Sequence, residues 1–295
     1  MIEKLFELCR ENNIPLYDIY EYDNGAILHK TVNRSHRVNN LYSVSKTFTS
    51  VAVGMLCDKG LLSMDDNVHD LLGRDDCPEI WKKVTLDLLL SQRSGVGQMF
   101  LDIDTDDIEN YKTDDFLGLV LNRPMDYEPG KYFGYSDSNF YLASRIVAKV
   151  SGVYMQEFLR EELFAPMKFQ AWSWAVCPYG HAAGGTGLYL SCKDMLKFGI
   201  MMLNGGVYEH RGYISEKWLN QAKKCHSYVD SSNSYGWGMW RRYDSDVCVF
   251  SGAFGQVIFL DPENNRVYAW QAYDPKNKAA ILLDTFYSVS YAKPD

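Results

Sequence analysis

The order in which the hydrophobic period changes along this 295-residue chain restricts its fold more than any other feature. Leu16 to Tyr22 and Ala26 to Val32 are β-prone runs on either side of Asp23-Asn24-Gly25, the pattern of a hairpin closed by an Asn-Gly turn. After Tyr42 the period becomes helical. Phe48, Val51, Ala52, Met55 and Leu56 fall at i, i+3, i+4, i+7 and i+8, a helix with one buried face that is entered near Ser43 and closed near Gly60. Helical signals continue to about residue 225. Beyond Tyr228 short β-prone runs return at Trp237 to Arg241, Val247 to Phe250, Gln256 to Leu260 and Val267 to Ala272, the last two joined by the turn sequence Asp261-Pro262-Glu263-Asn264-Asn265. Strands at both ends with helices between them require a sheet whose strands come from distant parts of the chain.

Local punctuation agrees with that order. Residues 2 to 12 are a short amphipathic stretch, and Thr85 is placed to cap a helix running through Asp87 to Leu90. Asn139 to Val150 is periodic with Gly152 just past its end, and Tyr154 to Phe164 is stopped by Pro166. Ser191 with Asp194 three residues on resembles a capping box, and a last helix is expected over Lys278 to Val289. The length suits one compact domain over residues 1–295. Within it we expect a sheet lobe, residues 1–42 plus 226–295, and a mainly helical lobe, residues 43–225, with a cleft between them as the natural place for a site.

Charge and cysteine usage narrow the partners. Thirty basic against 38 acidic residues give a net charge of −8, a field that repels phosphate backbones and anionic lipid, so neither nucleic acid nor a membrane is expected as partner. No apolar run approaches the roughly 20 residues needed to span a bilayer. The seven cysteines are scattered, odd in number and without a C-x-x-C pair, which favours reduced thiols. With no apolar leader visible at the N-terminus, a cytoplasmic location is expected. The sequence carries no signal for oligomeric state.

The strongest candidate for chemistry is Ser43-Val44-Ser45-Lys46. A serine hydroxyl is a poor nucleophile at neutral pH and needs a base within hydrogen-bond reach. At a helix start, residues i and i+3 share a face, so Lys46 can reach the Ser43 hydroxyl, and the free N–H groups of the first turn can stabilise an oxyanion. A second Ser-x-x-Lys, Ser290 to Lys293, lies in the C-terminal tail. Position separates the two: Ser43 opens a strongly apolar helix, where a buried lysine can lose its proton.

Tyr42-Ser43-Val44-Ser45-Lys46-Thr47-Phe48 resembles the nucleophile segment of the serine β-lactamase and penicillin-binding-protein superfamily, especially its class C β-lactamase branch with related esterases and D-amino-acid peptidases. Leu86-Asp87-Leu88-Leu89-Leu90-Ser91-Gln92-Arg93-Ser94-Gly95 resembles the superfamily's "LLTHTSG" helix and turn, and Pro129 to Asp137 its "PG…F-Y-S-N" segment. Ala183-Gly184-Gly185, Tyr235-Gly236-Trp237-Gly238 and Ser251 to Gln256 fit later landmarks in the expected order. The resemblance implies a β-lactamase-like fold, α/β of the α+β type, with an antiparallel sheet built from both chain ends, flanking helices and an inserted, mainly helical lobe. It further implies a serine hydrolase in which Ser43 is acylated, Lys46 activates it and Tyr135 transfers protons. The backbone N–H groups of Ser43 and Ala253 would form the oxyanion hole, and no cofactor and no metal would be needed. The substrate would be a small ester, amide or β-lactam. A β-lactamase or D-alanyl-D-alanine carboxypeptidase is one alternative, and a penicillin-binding or sensor-like protein that acylates without turnover is another.

Two departures from the superfamily pattern bear on substrate. Phe250-Ser251-Gly252 stands where Lys-Thr-Gly or His-x-Gly is common, and these three residues are expected at the substrate. Loss of that cation disfavours a substrate carboxylate and favours an uncharged acyl group. Asp137 stands where asparagine is commoner. It can pair with Lys46 and raise its pKa, bind a substrate amine, or sit as an exposed helix-capping residue.

The remaining candidates read as structural. Asp102, Asp104 and Asp106 alternate like a calcium loop, but Asp107 replaces the required glycine and Thr113 the bidentate glutamate, so the stretch reads as a solvated loop or lid. The histidines, at 29, 36, 69, 181, 210 and 226, form no H-x-H or H-x-x-x-H pair. There is no G-x-S-x-G elbow. Gly184-Gly185-Thr186-Gly187 lacks a P-loop ending and reads as a tight backbone passage, and the aromatic run Tyr235 to Trp240 as strand packing at the cleft edge.

Overall fold

A computed structural model describes residues 1–34, 38–97, 99–105, 108–243 and 245–290. His36, Asp106, Asp107 and Lys293 lie outside the described residues. The principal strands are β1 (Leu16–Asp23), β2 (Ala26–Thr31), β3 (Ser227–Tyr228), β4 (Asn233–Tyr235), β5 (Trp240–Arg242), β6 (Cys248–Gly252), β7 (Gln256–Asp261) and β8 (Arg266–Ala272). They form one eight-stranded sheet in the order β2-β1-β8-β7-β6-β5-β4-β3. Every pairing described in it is antiparallel. The two chain ends meet one strand in from an edge, where β1 and β8 pair from Leu16 opposite Ala272 to Asp23 opposite Arg266. The hairpin closes as its sequence dictates, with Asn24 and Gly25 both at positive φ, the backbone a two-residue turn needs to match strand twist.

The principal helices are α1 (Ile2–Glu11), α2 (Ser45–Asp58), α3 (Leu86–Leu90), α4 (Asp137–Ser151), α5 (Cys192–Leu203) and α6 (Ala280–Ser290). One face of the sheet is covered by α1 and α6, whose Ile2, Leu5, Leu282 and Phe286 pack on Val249, Val257, Phe259 and Trp270. The other face packs on α5, which carries the core on to α2 and α4: Phe198 of α5 stacks on Phe48 of α2 at 3.8 Å between ring centres. Each such fully buried side chain contributes roughly 1.5–3 kcal/mol of apolar burial. The sheet therefore anchors α2 from one side and α4 clamps it from the other, and the nucleophile motif lies at the start of α2.

The caps fall where expected. Thr85 accepts the Leu88 N–H at 3.3 Å and Ser191 the Asp194 N–H at 3.1 Å. The expected Trp237 to Arg241 strand is corrected: regular pairing starts only at Trp240, and residues 236–239 turn toward α2. Their carbonyls serve helix side chains, Ser50 Oγ donating to Trp237 and Thr47 Oγ1 to Gly238, both at 2.8 Å, so the alternating glycines join sheet to helix. All seven cysteines are free thiols. Among the described residues no helix is long and apolar enough to cross a membrane.

Candidate active site

Ser43 lies in a 3-10 turn, Tyr42–Val44, that runs directly into α2. Tyr42 holds φ at 49°, donates its N–H to Asn40 Oδ1 at 2.9 Å, and sets its ring edge-on to Phe254 at 4.9 Å. One turn on, Lys46 is fully buried, with 0% of its surface exposed. Its Nζ donates to Ser43 Oγ at 2.8 Å and to the Gly185 carbonyl at 2.9 Å, and pairs with Asp137 Oδ1 at 2.5 Å. An ammonium has three donors, and three acceptors meet it here. The geometry is that of a protonated lysine.

The electrostatics agree. Burial alone disfavours the ammonium, but the Asp137 carboxylate and the Tyr135 phenol outweigh it and push the Lys46 pKa up to about 12. The expectation of a lysine lowered by desolvation is therefore corrected: Asp137 and Tyr135 together overcome the burial. Of the three readings open for Asp137, the structure has the first. The residue opens α4, is 8% exposed and is bonded to Lys46. Gly185 is required at this point, since an added Cβ would stand 2.8 Å from Asp137 Cγ, and the expected tight backbone passage is what holds Lys46 from the far side.

Tyr135 comes to the same place from the segment before α4. The Lys46 ammonium lies 4.6 Å from the centre of its ring, which stacks on Trp240 at 5.7 Å. Ser43, Tyr135, Ala253 and Phe254 together line two adjoining cavities, of about 430 and 180 Å³. Non-glycine residues at positive φ gather around them: Tyr42 beside Ser43, Phe254 beside Ala253, and Gln92, Met99 and Leu101 around Tyr135. Each costs roughly 1 kcal/mol or more, and strain of this kind persists where function fixes the backbone.

The larger of the two cavities has an aromatic and apolar wall from Trp240, Val257, Trp270 and Leu283, with Ser251 and Gly252 on its rim. Phe250, expected at the substrate, is not among its lining. The pleat of β6 turns its ring to the opposite face, where it is 1% exposed and packs on Phe198. The smaller cavity is acidic, with Asp102, Asp104 and Asp137 beside Ser43. The reading of 102–106 as a solvated stretch is thus corrected for its described part, since Asp102 is 8% exposed and Asp104 accepts from Thr186 Oγ1. Burial, with Asp137 and Asp102 nearby, pushes the Asp104 carboxyl up to about 6. Carboxylate oxygens of the three lie within 4.8 Å of one another, close enough to share a cation, though Asp137 is already committed to Lys46. A cavity of about 700 Å³ near Arg145 and His181 shares no lining residue with these two.

Asp102, Asp104, Trp240 and Phe254 were missed as site residues. The alternating aspartates were visible but matched a metal loop poorly, and nothing local in the sequence marks the other two.

Comparison with known proteins follows the same lines. The chain is 27% identical over 158 residues to penicillin-binding protein 4* of Bacillus subtilis (strain 168), covering 50% of this chain and 34% of that protein. It is 28% identical over 159 residues to penicillin-binding protein 4 of Amycolatopsis lactamdurans, covering 51% and 40%. It thus spans well under half the length of these relatives. The octameric penicillin-binding protein homologue from Pyrococcus abyssi superposes with a TM-score of 0.81 at 19% identity, over 99% of this chain and 78% of that one, a likeness of fold. The Beta-lactamase family model matches residues 23–285, nearly the whole sheet and every helix of the site, and the chain belongs to that family.

Proposed function

We propose that the protein is a serine hydrolase that transfers the acyl group of a small ester or amide to water through an ester on Ser43. The observation that carries this reading is the 2.8 Å contact between Lys46 Nζ and Ser43 Oγ, where Ser43 shares a cavity with Tyr135 and Ala253. In the first step Ser43 Oγ bonds to the substrate carbonyl carbon and its proton leaves to a base. Lys46 held as an ammonium has no lone pair to offer, so the Tyr135 oxygen is the group we assign as base. The backbone N–H groups of Ser43 and Ala253 would receive the oxyanion. Collapse expels an alcohol or amine that takes the proton back from Tyr135, and water repeats the sequence to free the acid and Ser43.

The chemistry of the walls bears on substrate class. Among the described residues no lysine or arginine lines either cavity, and Lys46, buried beside Ser43, is paired with Asp137. A substrate carboxylate, as in a penicillin or a D-Ala-D-Ala terminus, finds acidic side chains on one side and an apolar wall on the other. Uncharged acyl and leaving groups fit better. The strong Lys46–Asp137 pair also supports a second reading, in which Ser43 acylates and is not released.

The test is turnover of a p-nitrophenyl ester by the wild type and by Ser43→Ala. We expect turnover to vanish in the variant with the fold intact, and unchanged turnover would sink the assignment. A stoichiometric burst without turnover would favour the second reading, and rapid hydrolysis of a chromogenic cephalosporin would favour a β-lactamase.

A further inference from the structure

The Tyr135 ring packs against Phe133, Tyr235 and Trp240, and the N–H groups of its two neighbours, Gly134 and Ser136, both address a single residue. The Gly134 N–H donates to the Gln92 main-chain carbonyl at 2.8 Å, and the Ser136 N–H donates to Gln92 Oε1 at 3.1 Å. The same Oε1 accepts from Asn139 Nδ2 at 2.5 Å, and Asn139 Oδ1 accepts from Ser94 Oγ at 2.6 Å, which ties the first turn of α4 back to the turn that carries Gln92. From the opposite side the Met99 N–H donates to the Tyr135 carbonyl at 2.9 Å. Gln92 is fully buried and holds φ at 61°, a strained backbone for a residue with a side chain. A glutamine that only filled space would not need its main-chain and side-chain carbonyls to bracket one residue.

We infer that Gln92 is a positioning residue that fixes where the Tyr135 phenol stands relative to Ser43. This rests on the reading of Ser43 as nucleophile and Tyr135 as its proton-transfer partner. The phenol sits at the far end of a long side chain, so a small rotation of the flanking peptides becomes a large displacement of the oxygen. A misplacement of about 1 Å at a reacting group can cost about a hundredfold in rate. What the position requires is an acceptor at the reach of Oε1 on a residue that tolerates positive φ. In the "LLTHTSG" pattern the aligned residue is histidine, which tolerates positive φ and whose ring nitrogen can accept the Ser136 N–H.

Two variants separate positioning from bulk structure. Asparagine tolerates positive φ but falls one methylene short of the Ser136 N–H, whereas histidine reaches it. We expect Q92N to lose about 10- to 100-fold in kcat with KM within about twofold, and to shift the pH profile of kcat, because the displaced group is a proton carrier. Q92H should recover most of that loss at a similar melting temperature. Rates are taken per active site, counted by fluorophosphonate labelling of Ser43. Wild-type kcat and pH profile in Q92N overturn the inference. Were Q92N not to fold, a folded Q92H with a loss above about tenfold overturns it equally. A wild-type chain that neither labels at Ser43 nor turns over esters instead refutes the parent reading, and the inference with it. A labelled, active wild type with an indifferent Q92N refutes the inference alone.

Discussion

Asp137→Asn isolates the charge pair beside Ser43. In the wild type Lys46 binds its proton more tightly folded than unfolded, with a pKa raised from 10.5 to about 12. By linkage that rise is worth about 2 kcal/mol, fully present below pH 10.5 and lost as the pH climbs through about 12. Asparagine keeps an oxygen near Nζ but removes the negative charge, leaving burial as the main influence on a fully buried amine. Its pKa then falls below 10.5 and the sign reverses: stability rises with pH up to 10.5, because the unfolded chain binds the proton more tightly. At pH 7 the uncompensated ammonium should cost about 3–5 kcal/mol, a large part of the stability of an ordinary domain. Urea unfolding of both proteins at intervals from pH 7 to 11 reads this directly, with the wild-type curve falling above pH 10 and the variant curve rising toward it. A loss below about 1 kcal/mol at pH 7, or parallel curves, would show that Asp137 is not what keeps Lys46 charged.

Two further substitutions address the walls of the site. Asp104 carries a folded-state pKa raised to about 6, so ionising it opposes folding, a penalty absent below its ordinary 3.8 and complete above about 6. Discounted for its partial exposure, the penalty is about 1–2 kcal/mol, and Asp104→Asn should gain that much at pH 8 and nothing near pH 4 in denaturant titrations; a gain independent of pH would contradict the assignment. Phe250→Ala should lose about 3–5 kcal/mol of stability as a core truncation while leaving KM for a neutral ester within about twofold in the folded protein. A large KM effect with little destabilisation would put Phe250 back at the substrate.

How far the sequence carried depended on whether a residue's role is local. The hairpin at Asn24-Gly25, the caps at Thr85 and Ser191 and the reach from Ser43 to Lys46 are consequences of spacing over a few residues, and each is present as expected. The protonation of Lys46 was not legible. It depends on Asp137, which α4 delivers from far along the chain, and on Tyr135, which together outweigh a burial that the helix pattern alone implies. Phe250 was misplaced because an aligned motif gives position along a strand, while the pleat decides which face the side chain takes. Asp102 and Asp104 read from sequence as solvated, since alternating carboxylates in a loop usually are, and only packing against Thr186 and Asp137 brings them to Ser43.

The pairing of β1 with β8 also governs when the cavity beside Ser43 comes into being. Leu16 and Ala272 are neighbours in space and almost a whole chain apart in sequence, so on a ribosome β1 waits with one edge open until the last strand emerges. Ala253 and Phe254 lie on the segment between β6 and β7, and the sheet that carries them closes only with β8. Ser43 and Lys46, made early, have no complete cavity around them until then. That cavity is therefore among the last parts of the fold to form, and an unfinished chain, with its open strand edge, is exposed to aggregation.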